Sequence, residues 1–396
     1  MVFSRRSFLE AGAVTAGLAL VPRIVRGAGV DSSFDPWIEV STAHLRHNVD
    51  EVARLVAPRP ILAVVKNNGY GLGVANAARA LEPSSAVFGF AVVKLAEAVA
   101  LREAGITKPI LLMGPFDEAG LEEAVARDVM PMVYTPIGDV IDRVAAKRGR
   151  PIPLHVCVDT GIGRVGVPHA QAPPLVRDLA GRSSVRLEGL MMTFTEDPAF
   201  DPEQLARFVA LGESLERGGV RIAKRHAASS FALFQRKDAF LDMVRPGMAL
   251  YGAYSEPEFR RLGVLDLRPA VSLKARVVYV KQLKKGESAG YNRAYRAERD
   301  VWVATLPVGH ADGLPRVAAK GGKVRIGGQL YPLIASVSAS HSIVEIGPEP
   351  RVAIGDVATL FDAQEGSRPE DLAASCGSSV YDLTMHLNPL LPRRVV

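Results

Sequence analysis

The sequence predicts an α/β protein: a (β/α)8 barrel followed by a C-terminal all-β domain. Three observations predict it. Short apolar runs alternate with amphipathic stretches from about His44 to Ala249, giving eight β-α units. Such spacing makes parallel strands joined by crossover helices. From about Leu265 the texture changes to β-rich segments separated by glycine-containing turns. Finally, the apolar run Ile61–Val65 ends in a lone lysine, Lys66, followed by the glycine-rich stretch Asn67-Asn68-Gly69-Tyr70-Gly71-Leu72-Gly73. Barrel enzymes build their sites at the C-terminal ends of such strands.

The chain divides at these changes of texture into a leader (1–28), a barrel (42–262) and a β domain (263–396). The short apolar segment Pro36-Trp37-Ile38-Glu39-Val40 reads as a strand, and residues 34–41 are expected to join the β domain. A helix over His44–Leu55 precedes the strand at Ile61–Val65, with His44 and His47 expected on its solvated face. Further strands are expected at Val87–Val92, Ile110–Met113, Pro131–Tyr134, Leu154–Val158, Leu187–Met191, Arg225–Ala228 and Met243–Ala249. Helical patterns fall between them at Val74–Leu81, Lys94–Glu103, Glu118–Ala126, Ile137–Ala145, Ala172–Leu179, Pro202–Leu215 and Ser230–Lys237. This places Lys66, Arg164, Ser230 and Arg245 at or just past strand ends. In the C-terminal part, strands are expected over Val271–Val280, Val301–Pro307, Lys323–Leu333 and Ile343–Glu345.

Composition excludes several functions. Hydrophobic content of 48% and charged content of 23% describe an ordinary globular protein. Half of the formal net charge of +6 comes from four arginines (Arg5, Arg6, Arg23, Arg26) against one acid (Glu10) in the first 28 residues. No basic cluster with interleaved aromatics points to nucleic acid. Ser4-Arg5-Arg6-Ser7-Phe8-Leu9, followed by the apolar run Ala11–Val21, reads as a twin-arginine export signal, with cleavage expected near Ala28. The expected location is periplasmic, with no membrane segment once the signal is removed. Two cysteines, Cys157 and Cys376, are too few for a disulfide framework, although export permits one bridge. No His/Cys/Asp/Glu spacing suggests a metal site.

A lysine at the end of an apolar strand is costly to bury unless it reacts or pairs. Lys66 either extends its stem to water or acts as a nucleophile, the usual role of a lysine that binds pyridoxal phosphate (PLP). Five stretches taken together decide the matter: AVVKNNGYGLG (63–73), HVCVDTGIGRVGV (155–167), HAASS (226–230), MVRPGMALYG (243–252) and GESAGYNRAYRAERDVWVATLPVGHADGLPR (286–316). In this order they resemble the alanine racemase family, PLP enzymes with a barrel and a C-terminal β domain. The resemblance runs from about Trp37 to the end of the chain.

The resemblance implies roles residue by residue. Lys66 matches the lysine that carries PLP as a Schiff base. Tyr70, Ser230 and the backbone N–H groups of Gly247 and Met248 match the phosphate cradle, where glycine lets backbone approach an anion. Arg245 matches the arginine facing the pyridine nitrogen, and Arg164 the arginine near the cofactor hydroxyl and the substrate carboxylate. Tyr291 matches a catalytic tyrosine that reaches in from the partner subunit, so a homodimer with shared sites is implied. Lys66 and Tyr291 would then be two bases on opposite faces of Cα, removing and returning a proton of a free amino acid.

Departures from the family pattern point to an exported, broad-specificity racemase. Cys157 stands where the family has a carbamylated lysine. Thr193 stands where a histidine links the tyrosine to the pyridine-facing arginine. His310 replaces a tyrosine that gates the substrate channel, and Ala339-Ser340 replaces a Met-Asp pair at the substrate carboxylate. Pro389 is placed at a pocket tyrosine, whose loss would widen the pocket. Cys157 reads as a small packed residue, and His226 as structural. Two other readings stay open: a catalytically weakened PLP-binding homologue, and a racemase narrow for alanine or serine. A decarboxylase of the same fold type is disfavoured by the sequence around Cys376.

Overall fold

The computed structural model describes residues 34–396. The leader expected over residues 1–28 lies outside the described residues. No helix among them is long and apolar enough to cross a membrane.

Parallel strands run in chain order around the barrel: Ile61–Val64, Val87–Val92, Ile110–Leu112, Val129–Val133, Ile152–Asp159, Val185–Met191 and Arg225–His226. Their side chains are almost all buried, with Ile61, Leu62, Ala63, Ile110, Leu111 and Leu112 fully so. A strand covered on both faces carries such continuous apolar runs, and each Leu or Ile buried contributes about 1.5–3 kcal/mol.

The eighth stave differs from the expected strand at Met243–Ala249. It forms only a parallel bridge, Ile61 with Val244. Hydrogen bonds nonetheless run along both its edges. Leu62 N–H donates to Val244 O (2.9 Å), Val64 N–H to Pro246 O (3.0 Å), and Arg245 N–H to Ala228 O (2.8 Å). Pro246 has no N–H to extend a ladder, and Met248–Tyr251 turns into a 3-10 helix. The stave closes the barrel and then releases its backbone at the site.

Helices cover the barrel with one apolar stripe each. Thr42–Val56 buries Leu45, Val49, Val52 and Val56, and Ser41 caps it by accepting from His44 N–H (3.3 Å). Asn48, buried on the same face, donates to Leu250 O (3.1 Å) and Arg268 O (2.9 Å) and accepts from Arg268 N–H (2.8 Å). His44 and His47 are not a solvated face. Their rings are half-buried and hydrogen-bonded to Pro269 O and Asp266 O, both at 2.8 Å, because the segment leaving the barrel returns across this helix. The helix expected over Ser230–Lys237 shortens to Ala232–Gln235.

The C-terminal part is mainly β. Its nine-stranded sheet runs in the order Tyr279–Leu283, Val301–Leu306, Ser342–Gly347, Gln329–Ile334, Lys323–Ile326, Val357–Phe361, Val271–Arg276, Trp37–Val40 and Arg393–Val395. Trp37–Val40 pairs antiparallel with Val271–Arg276 and parallel with Arg393–Val395. The expected Lys323–Leu333 strand is a hairpin broken at Gly327-Gly328, both at positive φ. Two helices, Pro369–Cys376 and Val380–Met385, interrupt the expected all-β pattern. The second of them packs back onto the Lys66 turn.

Candidate active site

The strand Ile61–Val64 ends, and the backbone after Lys66 winds the wrong way. Asn67, Asn68, Gly69 and Tyr70 all have φ between 52° and 61°, with Gly71 at 90°. A left-handed turn costs an L-residue roughly 1–2 kcal/mol, and asparagine tolerates it best after glycine. Hydrogen bonds hold it: Gly69 N–H to Val65 O (3.0 Å), Gly73 N–H to Asn68 O (2.8 Å), and Asn68 N–H to Glu97 Oε1 (3.0 Å). Glu97 is itself buried and also accepts from Val93 N–H and Lys94 N–H, each at 3.2 Å, at the start of the Leu95–Glu103 helix.

The turn carries Tyr70 over the end of the eighth stave. A Cβ at Gly247 would lie 2.2 Å from the Tyr70 hydroxyl, so only glycine fits there. Ser230 is buried beside them, and its hydroxyl accepts from Gly247 N–H (2.9 Å) and Ala249 N–H (3.2 Å). Tyr70, Ser230, Gly247 and Met248 thus come together. Lys66 is half-buried beside this cluster. Burial, then the charge of Arg164, pulls its amine below the usual lysine range, and Glu97 opposes them.

Arg245 is buried without a carboxylate partner. It donates to His226 Nδ1 (2.9 Å), His226 O (2.7 Å) and Met192 O (2.6 Å). Burial brings it down to about 10, so it remains charged at neutral pH. His226 in turn meets His155 Nδ1 at 2.8 Å, so it has two ring partners rather than one. Thr193 follows Met192, and its own carbonyl accepts from Gln204 Nε2 (3.4 Å). No histidine occupies the expected relay position.

Arg164 is exposed, in the loop after Asp159, and makes no hydrogen bond to the described residues. Its charge reaches Lys66, Cys157, Arg245 and Glu196, so it lies near all four. Cys157 is buried, its thiol donates to Val165 O (3.6 Å), and burial pushes it up to about 11. It is a packed thiol, and both cysteines are free.

The remaining predicted residues lie elsewhere. Tyr291 follows Gly290 on the β domain and is 72% exposed. His310 and Ala339 are exposed on adjoining loops, tied by His310 N–H to Ser338 O (2.9 Å) and Ala311 N–H to Ala339 O (3.0 Å). A Cβ on Gly290 would fall 2.6 Å from Ala335 Cβ, so these loops abut Tyr291. Tyr291, His310 and Ala339 are thus all exposed on loops of the β domain.

Tyr381, which sequence reasoning did not single out, contributes to the cluster around Tyr70. It projects from Val380–Met385 with its ring 6.3 Å from that of Tyr70; the side chain is 37% exposed, and the partial desolvation of its hydroxyl near Glu196 and Glu256 pushes it up to about 12. Pro389 lines the neighbouring hollow of about 550 Å3 with Asn67, Lys94, Tyr381 and Met385. The aromatic ring expected to be lost at Pro389 is therefore present, supplied by Tyr381. The only local signal was the Ser379 helix cap two residues before it.

The site fits PLP. A glycine pressed against the Tyr70 hydroxyl beside Ser230, a half-buried lysine whose amine is held below its usual range, and a buried guanidinium with neutral partners suit a phosphate, an aldehyde and an unprotonated ring nitrogen in turn.

Comparison with known proteins points to the same family over about 90% of the chain. Residues 40–255 match the alanine racemase N-terminal domain, and residues 270–395 the alanine racemase C-terminal domain. The chain is 32% identical over 367 residues to alanine racemase 2 of Caldanaerobacter subterraneus subsp. tengcongensis, covering 90% of this chain and 93% of that one. It is 32% identical over 366 residues to the alanine racemase of Clostridium tetani, covering 90% and 94%. Among solved structures, alanine racemase of Clostridium difficile 630 superposes with a TM-score of 0.85 at 27% identity, covering 91% of this chain and 95% of that one. The Bacillus anthracis alanine racemase with bound L-Ala-P gives 0.81 at 28% identity, covering 91% and 95%.

Proposed function

The chain belongs to the alanine racemase family, and we propose that it is an exported, homodimeric, broad-specificity amino-acid racemase. It is a PLP-dependent isomerase of free amino acids. One observation carries the reading. The desolvated Lys66 amine stands beside a cradle built from Tyr70, Ser230 and Gly247, while its counterpart Tyr291 is exposed on a different part of the chain.

The residues that would hold PLP are Lys66, Tyr70, Ser230, Gly247, Met248, Arg245 and Arg164, with Tyr381 added at the mouth. When bound, PLP supplies an electron-accepting ring that weakens the substrate Cα–H bond. Lys66 Nζ then takes or returns the proton on one face of Cα, and Tyr291 of a second copy does so on the other. The depressed affinity of Lys66 for its proton suits a base working near neutral pH. Arg245 would face the ring nitrogen as a donor that does not give up its proton, which would favour proton return over side reactions. Arg164 holds the substrate carboxylate.

Broad specificity is supported by Ala339-Ser340 and Thr193, small side chains where the family has larger ones. The Tyr381 ring keeps the cradle side of the pocket lined, so the added room lies toward the partner's loops. Export is supported by the Arg5-Arg6 pattern and the apolar run after it. Fractionation of the producing cells, with Arg5 and Arg6 changed to lysine, tests export.

Incubation of the PLP-loaded protein with single L-amino acids in D2O tests the function, following Cα exchange and optical rotation. Loss of rotation for alanine and for larger substrates is expected. Loss for alanine or serine alone would overturn the breadth. A bound cofactor with no exchange for any substrate would overturn the activity, in favour of a weakened PLP-binding homologue.

A further inference from the structure

Three buried side chains of the barrel, from two strands and the eighth stave, form a line of hydrogen bonds whose direction is fixed. Arg245 Nη1 lies 2.9 Å from His226 Nδ1, and His226 Nε2 lies 2.8 Å from His155 Nδ1. A guanidinium only donates. His226 Nδ1 must therefore accept and be bare, which places the His226 proton on Nε2. That N–H donates to His155 Nδ1, which must also be bare. The His155 proton is then on Nε2, and His155 Nε2 is buried with no partner.

We propose that His155 is a positioning residue for Arg245, acting through His226 as the end of a one-way chain of donors. Two neutral imidazoles satisfy the guanidinium without cancelling its charge, as a carboxylate in the same place would. Burial and the nearby charges of Arg245 and Lys224 keep both rings neutral. The rings meet edge to face, 5.0 Å apart at 75°. A Cβ at Gly189 would fall 2.6 Å from His155 Nδ1, so the ring is fitted to its strand neighbour. Without His155, His226 Nε2–H would lose its acceptor and the His226 ring would be free to turn its Nδ1 away from Arg245. The tolerated orphan on His155 Nε2, a buried donor that is costly to leave unpaired, marks where the chain ends.

Only the role of Arg245 toward PLP rests on the racemase reading; the proton positions stand without it. The test is ring-15N labelling of histidine in the PLP-loaded protein, with nitrogen–proton correlation spectra from pH 5.5 to 9. The spectra of His155→Gln and His155→Leu assign the pair. Both rings should carry the proton on Nε2 and neither should titrate. A proton on Nδ1 of either ring, or titration of either ring, would overturn the proposal. Kinetically, His155→Gln keeps an acceptor and should retain most of the kcat for alanine. His155→Leu should lower kcat about tenfold, the loss expected of one hydrogen bond, with KM within about twofold and the visible cofactor band retained. Equal losses in the two variants would assign His155 to packing alone and overturn the positioning role. If His155→Leu does not fold, the wild-type spectra still decide. Absent turnover with the predicted tautomers would count against the racemase reading and leave this inference standing.

Discussion

Lys66 and Tyr291 have matched tasks in the proposed chemistry, yet the protein houses them in opposite ways. The Lys66 region is largely buried and wound into a left-handed turn whose Asn68 N–H donates to Glu97, beside a stave end whose Gly247 N–H donates to Ser230. The Tyr291 region is an outer edge of loops, with the tyrosine 72% exposed. The first is preorganised by one chain. In the proposed homodimer the second gains its function when another copy brings it to a cradle. Under that proposal, position within the assembly, rather than residue chemistry, separates the two bases.

The largest expected effects break that contrast directly. Lys66→Ala and Tyr291→Phe should each lower racemisation by roughly 10²–10⁴-fold, the range for losing a positioned acid or base. Unfolded and refolded together, the two inactive proteins should regain activity. Each mixed dimer has one site with both residues intact, which makes about a quarter of all sites active. No recovery would place both bases in one chain.

Gly247→Ala should be next. Its Cβ would push against the Tyr70 hydroxyl, costing about 1–3 kcal/mol of stability and weakening PLP binding. Thermal unfolding and a PLP titration check both. Tyr291→Phe should change stability by less than about 0.5 kcal/mol, as exposed substitutions do. Equal destabilisation by both variants would erase the contrast between buried pole and outer edge.

A smaller effect concerns pH. The positive charge of Arg164 disfavours a second positive charge on Lys66. Removing it in Arg164→Gln raises the affinity of Lys66 for its proton. The acidic limb of the kcat profile, where Lys66 must be unprotonated, should then move to higher pH. A limb that stays in place or moves to lower pH would show that Arg164 does not act on Lys66. A modest loss of stability, about 1 kcal/mol, with racemisation unchanged, is expected for Ser41→Ala, which removes a helix cap.

Much of this was legible in the sequence because it is written in short-range patterns. Apolar runs with helical stretches between them located the barrel strands through Arg225–His226, and the Lys66 turn stood out as a charged residue ending an apolar run. What escaped has a common cause. The eighth stave makes its hydrogen bonds one at a time, around a proline, so no strand-length pattern marks it. His44 and His47 read as solvent-facing because the chain that covers them arrives more than two hundred residues later. Tyr381 sits in a six-residue helix whose sequence does not show that it folds back over Tyr70.

By itself the sequence determined the family, the order of most elements and which residue types gather near Lys66, because motif spacing and apolar periodicity are local. Only the tertiary structure decided how the site is completed. It set the left-handed turn that seats Tyr70 on Gly247, the His155–His226–Arg245 line, and the separation of Tyr291 from Lys66. Those features depend on which distant backbones come within hydrogen-bond reach, and chain closure around the barrel fixes that, not any local pattern of residues.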